Sequence, residues 1–263
     1  MPKNQEAYLA KGSEERRQSI ADRLLRDGFA SNLQLAQAFS VSEMTIRRDV
    51  TALEEQGLVR RVHGGATGVS ASSFSPTDFR QRIALNSEKK NRIALKALTF
   101  LQRGDIIAID SGSSTLGIAQ YLPDNLNLTV VTNSLPALTE LAMHKKIKVF
   151  AIGGELHIPT LSFSSIESAK DLNEFRFTTY FLSVGSIKNN MLYCATPYEA
   201  MIKKSLIESS DQVILLADSS KFSSDAMVKV CDLSQVSIFI TDGEVKEEQR
   251  KEIRKYCKLE IVN

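Results

Sequence analysis

The stretch from Ser42 to Ala66 constrains the fold of this chain more than any other part of the sequence. Its apolar residues Ile46, Val50 and Leu53 recur at the i, i+4, i+7 spacing of a helix, so they form a narrow stripe that must pack against other parts of the protein. The opposite side of the same helix is polar and basic. It carries Met44, Arg47, Arg48 and Thr51, with Thr45 nearer the start of the helix.

The residues around this helix predict a winged helix-turn-helix. Ser40 or Ser42 can cap the N-terminus of the helix, and Gly57 can end it in left-handed backbone. Two amphipathic helices precede it and a short strand follows it, which is the element order of that fold. These elements are predicted at Ser13–Asp27, Asn32–Phe39 and Leu58–Val62.

In this geometry the third helix enters the major groove of DNA with its N-terminal half. Guanidinium groups there can bond guanine O6 and N7 in pairs or grip phosphates. An isolated pair of arginines is more often a solvated helix face, but the order of elements favours DNA contact. The predicted contact residues are Ser42, Met44, Thr45, Arg47, Arg48 and Thr51 on the helix, and Arg60, Arg61 and His63 in the wing.

Two linked motifs carry a family resemblance. Val41–Asp49, with the sequence VSEMTIRRD, resembles the recognition helix of DeoR-type bacterial transcriptional regulators. Gly57–Val59 together with Arg61–Ala66 resembles the wing of the same family. The resemblance implies a sequence-specific regulator that binds a double-stranded DNA operator.

Composition restricts how such a protein can bind DNA. The 263 residues carry a net charge of only +2, so DNA contact must come from locally placed basic groups. The cysteines Cys194, Cys231 and Cys257 form no CxxC pair, which is typical of reduced thiols in a cytosolic protein. No apolar run reaches membrane-spanning length, and the histidines lack metal-ligand spacing. We expect a cytoplasmic protein with no membrane segment, metal or cofactor.

The pattern changes after the first domain. The sequence predicts a DNA-binding domain over residues 13–66, a small and polar linker over 67–76, and a second domain over 77–263. The second domain alternates helices with apolar strands, which predicts an α/β fold with a mainly parallel sheet. The predicted strands are Asp105–Asp110, Leu128–Thr132, Ile147–Ile152, Thr178–Val184, Val213–Asp218, Val236–Thr241 and Leu259–Val262. The predicted helices are Ser87–Gln102, Ser113–Tyr121, Ser134–His144, Pro197–Ser209 and Glu244–Cys257.

Ligands of such sheets bind beyond the carboxyl ends of the strands. Ser111–Thr115 lies between a strand and a helix, so it forms either an anion cradle or a plain tight turn. Lys221, just past another strand, could reach a phosphate or could be an exposed lysine. Glu199 and Lys203 have the i, i+4 spacing of a surface ion pair, although near a site they could orient a sugar hydroxyl.

These loops resemble the effector domain of the same DeoR-type regulators. The resemblance implies a domain related to sugar-phosphate isomerases that senses a phosphorylated sugar. By that resemblance Ser111–Thr115 and Lys221 would hold the phosphate, while Asp110, Glu199 and Lys203 would lie near the sugar. The full predicted effector site is Asp110, Ser111, Gly112, Ser113, Ser114, Thr115, Asn133, Gly153, Gly154, Ser183, Glu199, Lys203 and Lys221.

One departure separates two functional hypotheses. Many relatives carry an Asp-Gly pair where this chain has Ser183–Ile187, and the related isomerases use carboxylates in that region for proton transfer. The missing acid favours a regulator, expected to be a repressor of a carbohydrate operon that acts as a homodimer or homotetramer. The alternative is a sugar-phosphate isomerase-like enzyme with an accessory DNA-binding segment.

Overall fold

The computed structural model describes residues 12–27, 29–62, 64–68 and 79–263, and the chain divides into two compact units. The smaller unit contains the described residues up to 68 together with Arg80–Leu85. The larger unit contains Phe79 and Asn86–Asn263. In the described part of the chain, no helix has both the length and the apolar composition needed to cross a membrane.

The smaller unit is a winged helix, as predicted. Its helices pack on a three-stranded antiparallel sheet of strand order β1-β3-β2. The predicted wing strand is therefore one of three strands, and β3 extends through Thr67 and Gly68, the first two residues of the predicted linker. The elements are α1 (Ser13–Asp27), β1 (Phe29–Ser31), α2 (Asn32–Phe39), α3 (Glu43–Glu55), β2 (Val59–Val62) and β3 (Gly65–Gly68).

Local capping sets the helix boundaries in this unit. Ser31 caps α2, because its Oγ accepts from the Gln34 N–H at 3.1 Å while the Gln34 side chain accepts from the Ser31 N–H at 2.9 Å. Ser40 adopts left-handed backbone in the turn before α3. Of the two candidate caps for α3 it is Ser42 that serves, accepting from the Thr45 N–H at 3.1 Å.

The larger unit contains a seven-stranded sheet in which every neighbouring pair is parallel. The seven strands predicted from the sequence are the seven strands of this sheet, and their order is β15-β14-β12-β9-β4-β5-β6. Their bounds are β4 (Ile106–Ile109), β5 (Thr129–Thr132), β6 (Lys148–Ala151), β9 (Thr179–Leu182), β12 (Val213–Leu216), β14 (Ile238–Asp242) and β15 (Lys258–Val262).

The helices of the larger unit match the predicted ones with shorter ends. The helix after β4 begins at Leu116 rather than Ser113, because Thr115 Oγ1 donates to the carbonyls of Asp110 and Gly112 and holds the preceding residues in a turn. Two further helices, α4 (Phe79–Ala84) and α8 (Ile166–Asp171), were not predicted, and all of α4 except Phe79 groups with the smaller unit. The helix bounds are α4 (Phe79–Ala84), α5 (Ser87–Leu98), α6 (Leu116–Tyr121), α7 (Leu135–Leu141), α8 (Ile166–Asp171), α9 (Pro197–Glu208) and α10 (Glu247–Ile253).

Short antiparallel strands, also not predicted, complete this unit. A hairpin pairs β7 (Glu155–His157) with β8 (Ser162–Ser164). A separate sheet has the strand order β10-β11-β13. Its strands are β10 (Ser186–Lys188), β11 (Met191–Cys194) and β13 (Val228–Asp232). Their buried side chains share one hydrophobic core with α9 and one face of the parallel sheet.

Candidate functional sites

The two faces of α3 differ as the sequence predicts. Ile46, Val50 and Leu53 are fully buried in the core of the winged helix. On the other side Met44, Arg47 and Arg48 are exposed, and neither guanidinium group has a partner among the residues that the structure describes. Two positive groups without counter-ions therefore lie on the outer face of this helix.

A buried charge that the sequence interpretation missed fixes α3 against α1. Asp49 lies on the inner face of α3 and is almost fully buried. Its carboxylate accepts from Arg16 Nε at 2.7 Å and from Arg17 Nε at 3.0 Å. A buried carboxylate is stable only when it is paired, so this contact restricts the rotation of α3 about its axis. Its position three residues after Ile46 could have indicated that it faces inward.

Several predicted DNA-contact residues are engaged within the protein. Arg61 donates from Nε to Glu54 at 2.5 Å and from Nη1 to the Thr51 hydroxyl at 3.2 Å. These bonds attach the wing to α3. The hydroxyls of Ser42 and Thr45 lie 2.9 Å apart at the helix cap. Arg60 has its backbone in β2, and His63 lies outside the described residues.

In the larger unit the strand order reverses at β4. The chain adds β5 and β6 on one side of β4 and later adds β9, β12, β14 and β15 on the other. Loops that leave the carboxyl ends of two strands at such a point diverge and open a crevice, where ligands of parallel α/β sheets bind. Asp110 follows β4 and Ser183 follows β9, so the two residues lie at the point where the strand order reverses.

A closed network of buried groups lies at the carboxyl ends of β4 and β9. Asp110 Oδ2 accepts from the Ser183 N–H at 2.9 Å, from the Ser183 hydroxyl at 2.5 Å and from the Lys203 ammonium. Lys203 also donates to the Ser183 carbonyl at 3.1 Å. The Lys203 and Asp110 side chains are 5% and 1% exposed. Burial lowers the pKa of Lys203, but the nearby negative groups, Asp110 foremost, outweigh it and raise that pKa above its ordinary value.

Gly112 lies so close to this network that no side chain fits there. A Cβ added at Gly112 would lie 1.7 Å from the Ser183 Oγ and 2.5 Å from its Cβ. The glycine therefore allows the loop after β4 to contact the residue that follows β9. Thr115 Oγ1 fixes the other end of the loop through bonds to the carbonyls of Asp110 at 2.7 Å and Gly112 at 2.8 Å.

The same loop presents a series of unused hydrogen-bond donors. Within the described residues, the backbone N–H groups of Ser111, Gly112, Ser113 and Ser114 reach no acceptor. The hydroxyls of the three serines make no hydrogen bond there either. Successive amides and hydroxyls of this kind can surround an anion, because each group supplies a hydrogen-bond donor and none carries a negative charge that would repel the anion.

Lys221 brings a positive charge to the end of β12, two strands from β4. It lies in a single turn of 3-10 helix, Ser219–Phe222. Burial raises the pKa of Asp218, but the charges of Lys221 and Lys90 and the bonds from Ser220 outweigh it and lower that pKa. Lys221 is therefore close enough to Asp218 to act on its charge.

The loops after β5 and β6 contribute polar backbone and one amide. Asn133 Nδ2 donates to the Phe163 carbonyl at 2.9 Å, whereas its buried Oδ1 has no partner among the described residues. Gly154 has a φ of 128°, and a Cβ there would meet the Ser164 backbone at 2.5 Å. The Gly153 carbonyl accepts from Ser168 at 2.8 Å.

Glu199 has a local partner. Its Oε2 accepts from the N–H groups of Ala195 at 3.0 Å and Thr196 at 3.2 Å in the capping box of α9. Lys203, one turn further on, bonds to Asp110 and Ser183 instead. The structure thus brings Asp110, Ser183 and Lys203 together, with Glu199 at the start of the helix that carries the lysine.

Metal and thiol chemistry have little support in the described part of the chain. It contains no group of three His, Cys, Asp or Glu residues that could hold a metal ion. Burial raises the pKa of Cys194 and of Cys231 to about 12, and that of Cys257 to about 11. At neutral pH these thiols are protonated and therefore weak nucleophiles.

Comparison with known proteins identifies the two units. A winged helix with a basic outer face, followed by a parallel α/β unit, is the architecture of a DNA-binding transcriptional regulator with a sensor domain. Residues 16–72 match the DeoR-like helix-turn-helix domain, and residues 85–243 match the DeoR C terminal sensor domain. The chain belongs to the DeoR family of transcriptional regulators.

Curated relatives support the same assignment along the whole chain. The chain is 35% identical to the uncharacterized regulator YulB of Bacillus subtilis, over 87% of this chain and 88% of YulB. It is 32% identical to the glycerol-3-phosphate regulon repressor of Escherichia coli, over 87% and 90% of the two chains. It is 27% identical to a lactose phosphotransferase system repressor of Staphylococcus epidermidis, over 90% and 95%. The prediction of a regulator rather than an enzyme is confirmed by this family membership.

One of the solved structures similar to this chain is a sugar-phosphate isomerase. Ribose 5-phosphate isomerase A of Methanocaldococcus jannaschii is 18% identical, with a TM-score of 0.38 over 52% of this chain and 55% of that protein. A similarity of this size carries no argument about activity.

Proposed function

We propose that this regulator represses a carbohydrate-metabolism operon and that a phosphorylated sugar controls its affinity for the operator. The names of two relatives, a glycerol-3-phosphate regulon repressor and a lactose phosphotransferase system repressor, support this proposal. The protein acts in the cytoplasm as a homodimer or homotetramer, because one winged helix reads only a few base pairs and repeated half-sites give a longer target.

The observation that carries the proposal is the row of unused donors at Ser111–Ser114. A phosphate dianion needs several donors at once, and this loop offers backbone N–H groups and hydroxyls at the point where the strand order reverses. Lys221 supplies a compact positive charge two strands away. A neutral sugar would leave most of these donors unused.

The remaining site residues have supporting roles in this proposal. Asn133 Oδ1, an acceptor without a partner, is suited to a sugar hydroxyl. Gly153 leaves the backbone after β6 open to a ligand, while Gly154 allows that loop to lie against the backbone of Ser164. The loop Ser111–Ser114 is supported by the buried network of Asp110, Ser183 and Lys203. Thr115 fixes the end of this loop, and Glu199 fixes the start of α9, the helix that carries Lys203.

The bound sugar is released chemically unchanged in this account. Ser183–Ile187 contains no carboxylate that could move a proton. The carboxylate of Asp110 is held by Lys203 and Ser183, so it has no position from which to act as a base on a sugar.

Calorimetry with matched pairs of sugars and sugar phosphates tests the phosphate cradle. We expect the phosphorylated form to bind at least tenfold more tightly, which is about 1.4 kcal/mol. Lys221→Ala should remove much of this difference, whereas Lys251→Ala, which removes an exposed lysine from α10, should not. Equal affinity for the two forms would contradict the proposal. NMR of the recovered sugar phosphate should show no isomer.

Gly112→Ala tests the loop geometry independently of charge. The added methyl group displaces Ser183 and with it the loop, so sugar-phosphate binding should be lost while DNA binding without ligand persists. Gly12→Ala is the control for a glycine substitution, since a Cβ there meets nothing within 4 Å. Unchanged phosphate affinity in Gly112→Ala would remove this loop from the site.

A further inference from the structure

Helix α4 is divided between the two units, because its first residue groups with the larger unit and its other residues group with the smaller unit. Arg80–Leu85 group with the smaller unit, where Ala84 and Leu85 pack against the hydrophobic core of the winged helix. Phe79, at the start of α4, and Asn86, just after its end, group with the larger unit. The chain thus passes from the larger unit to the smaller one between Phe79 and Arg80, and returns between Leu85 and Asn86.

The start of α4 is attached to a loop of the candidate effector site. The Phe79 N–H donates to the Pro159 carbonyl at 2.9 Å, and the Phe79 side chain is fully buried. Pro159 lies in the turn of the β7–β8 hairpin, which begins directly after Gly153 and Gly154. A change in the position of this hairpin therefore acts directly on the first residue of α4.

The end of α4 is attached to a second effector loop. Asn86 Nδ2 donates to Asp218 Oδ1 at 3.2 Å, and the Asn86 side chain makes no capping bond to the helix that follows it. Asn86 adopts left-handed backbone with a φ of 55°, a conformation that is unfavourable for a side-chain-bearing residue. Asp218 is almost fully buried and lies three residues before Lys221, the proposed phosphate ligand.

Charge connects the ligand to this second attachment. Lys221 and Lys90 both act on the carboxylate of Asp218. A phosphate dianion that engages the Lys221 ammonium reduces the attraction between that ammonium and Asp218. The charge balance at Asp218 then changes, and Asp218 is the acceptor of the bond from Asn86.

We propose that α4 is the element through which the effector site controls the DNA-binding unit, with Phe79 and Asn86 as its two attachments. This inference rests on the proposed function. A helix of six residues is too short to absorb a displacement by bending, so movement of either loop is passed to the residues that pack on the winged-helix core.

Asn86→Gly tests the attachment with little strain. Glycine keeps the left-handed backbone and removes only the side-chain amide. Asn127→Gly is the matched control, because Asn127 is also left-handed, with a φ of 54°, and is exposed at the end of a 3-10 turn. The probe is inorganic phosphate, with affinity measured by calorimetry. The DNA is a duplex selected by the full-length chain from a random library.

In the wild-type protein we expect saturating phosphate to change the affinity for this duplex by a measurable factor. In Asn86→Gly that factor should fall to within twofold of one, while the separate affinities for phosphate and for the duplex stay within threefold of wild type. Asn127→Gly should retain the wild-type factor. Hydrogen exchange of the amides in residues 79–86 should respond to phosphate in the wild type and respond less in Asn86→Gly.

Three results would overturn the inference. The first is a coupling factor in Asn86→Gly that equals the wild-type factor. The second is hydrogen exchange of the α4 amides that does not change when phosphate binds the wild-type protein. The third is a wild-type protein that binds both probes without coupling between them. Failure of phosphate to bind the wild-type protein contradicts the phosphate cradle itself, and the inference then fails with it. Calorimetry on the wild-type protein distinguishes this case from the other three.

Discussion

The outer face of α3 and the buried pair in the larger unit differ in whether their charged groups have partners. Arg47 and Arg48 are exposed and have no partner in the described structure, so a polyanion can supply one. Asp110 and Lys203 are buried and already bonded to each other. Binding through exposed charges is strong only at low salt, because counter-ions compete for them. Buried pairs give little affinity directly, but they hold the surrounding groups in place.

Each region also contains a cation next to an acid. Arg61 is bonded to Glu54, and Lys221 acts on Asp218. A sequence identifies these cations without revealing which of them already have partners. Whether a cation already has a partner decides whether its substitution changes stability, ligand affinity or neither. The following variants separate these outcomes.

The largest effect is expected at the buried pair. Lys203→Met leaves the Asp110 carboxylate buried without its charged partner, which should lower the free energy of unfolding by about 3–5 kcal/mol in urea titrations. Adding Asp110→Asn should recover much of that loss. A loss below about 1 kcal/mol would mean that the pair is not buried as described.

The contribution of Lys203 to stability should also depend on pH. Because the pKa of Lys203 is raised in the folded protein, its contribution to the free energy of unfolding is complete below the pKa of the unfolded lysine, about 10.4. That contribution disappears as the pH rises through the pKa of the folded protein.

A smaller effect, confined to DNA, is expected at the exposed arginines. Arg47→Ala and Arg48→Ala should each weaken operator binding by about 1–3 kcal/mol if they contact bases. The free energy of unfolding should stay within about 0.5 kcal/mol of wild type. Fluorescence anisotropy on the selected duplex and on random DNA separates the roles. Equal losses on both would assign these arginines to phosphates, and unchanged binding would remove α3 from the interface.

The smallest effect is expected at Arg61. Its ion pair with Glu54 is half exposed, 56% and 34% for the two side chains, and such pairs contribute about 0–1 kcal/mol. Arg61→Ala should therefore change stability little and should weaken operator binding less than Arg47→Ala. A loss of affinity as large as that of Arg47→Ala would mean that Arg61 leaves Glu54 to contact DNA.

The sequence predicted the elements that depend on local patterns. Ser13–Asp27 and Asn32–Phe39 are helices with the predicted bounds, because amphipathic spacing and caps lie within the segments themselves. The seven strands of the parallel sheet could be found as apolar runs, but their order could not, because pairing joins distant segments. The short strands of the β7–β8 hairpin lack an alternation long enough to detect.

The candidate site was only partly predictable for the same reason. Residue type and position at strand ends indicated Ser111 and Lys221. The partner of Lys203 could not be predicted, since Asp110 is 93 residues away in the chain while Glu199 is four away. The bond from Asn86 to Asp218 spans 132 residues and left no local signal. Asp49 could have been found, because the helical period that placed Ile46 and Leu53 inside places it there too.

Reciprocal coupling tests the central claim most directly, which is that a sugar phosphate and an operator control each other through one chain. The affinity of the wild-type protein for the selected duplex is measured with and without a saturating sugar phosphate, chosen because it raises the melting temperature. Its affinity for that sugar phosphate is then measured with and without the duplex. The account predicts the same factor in both directions, as thermodynamic linkage requires. A sugar phosphate that binds tightly and leaves the affinity for the duplex unchanged would contradict it.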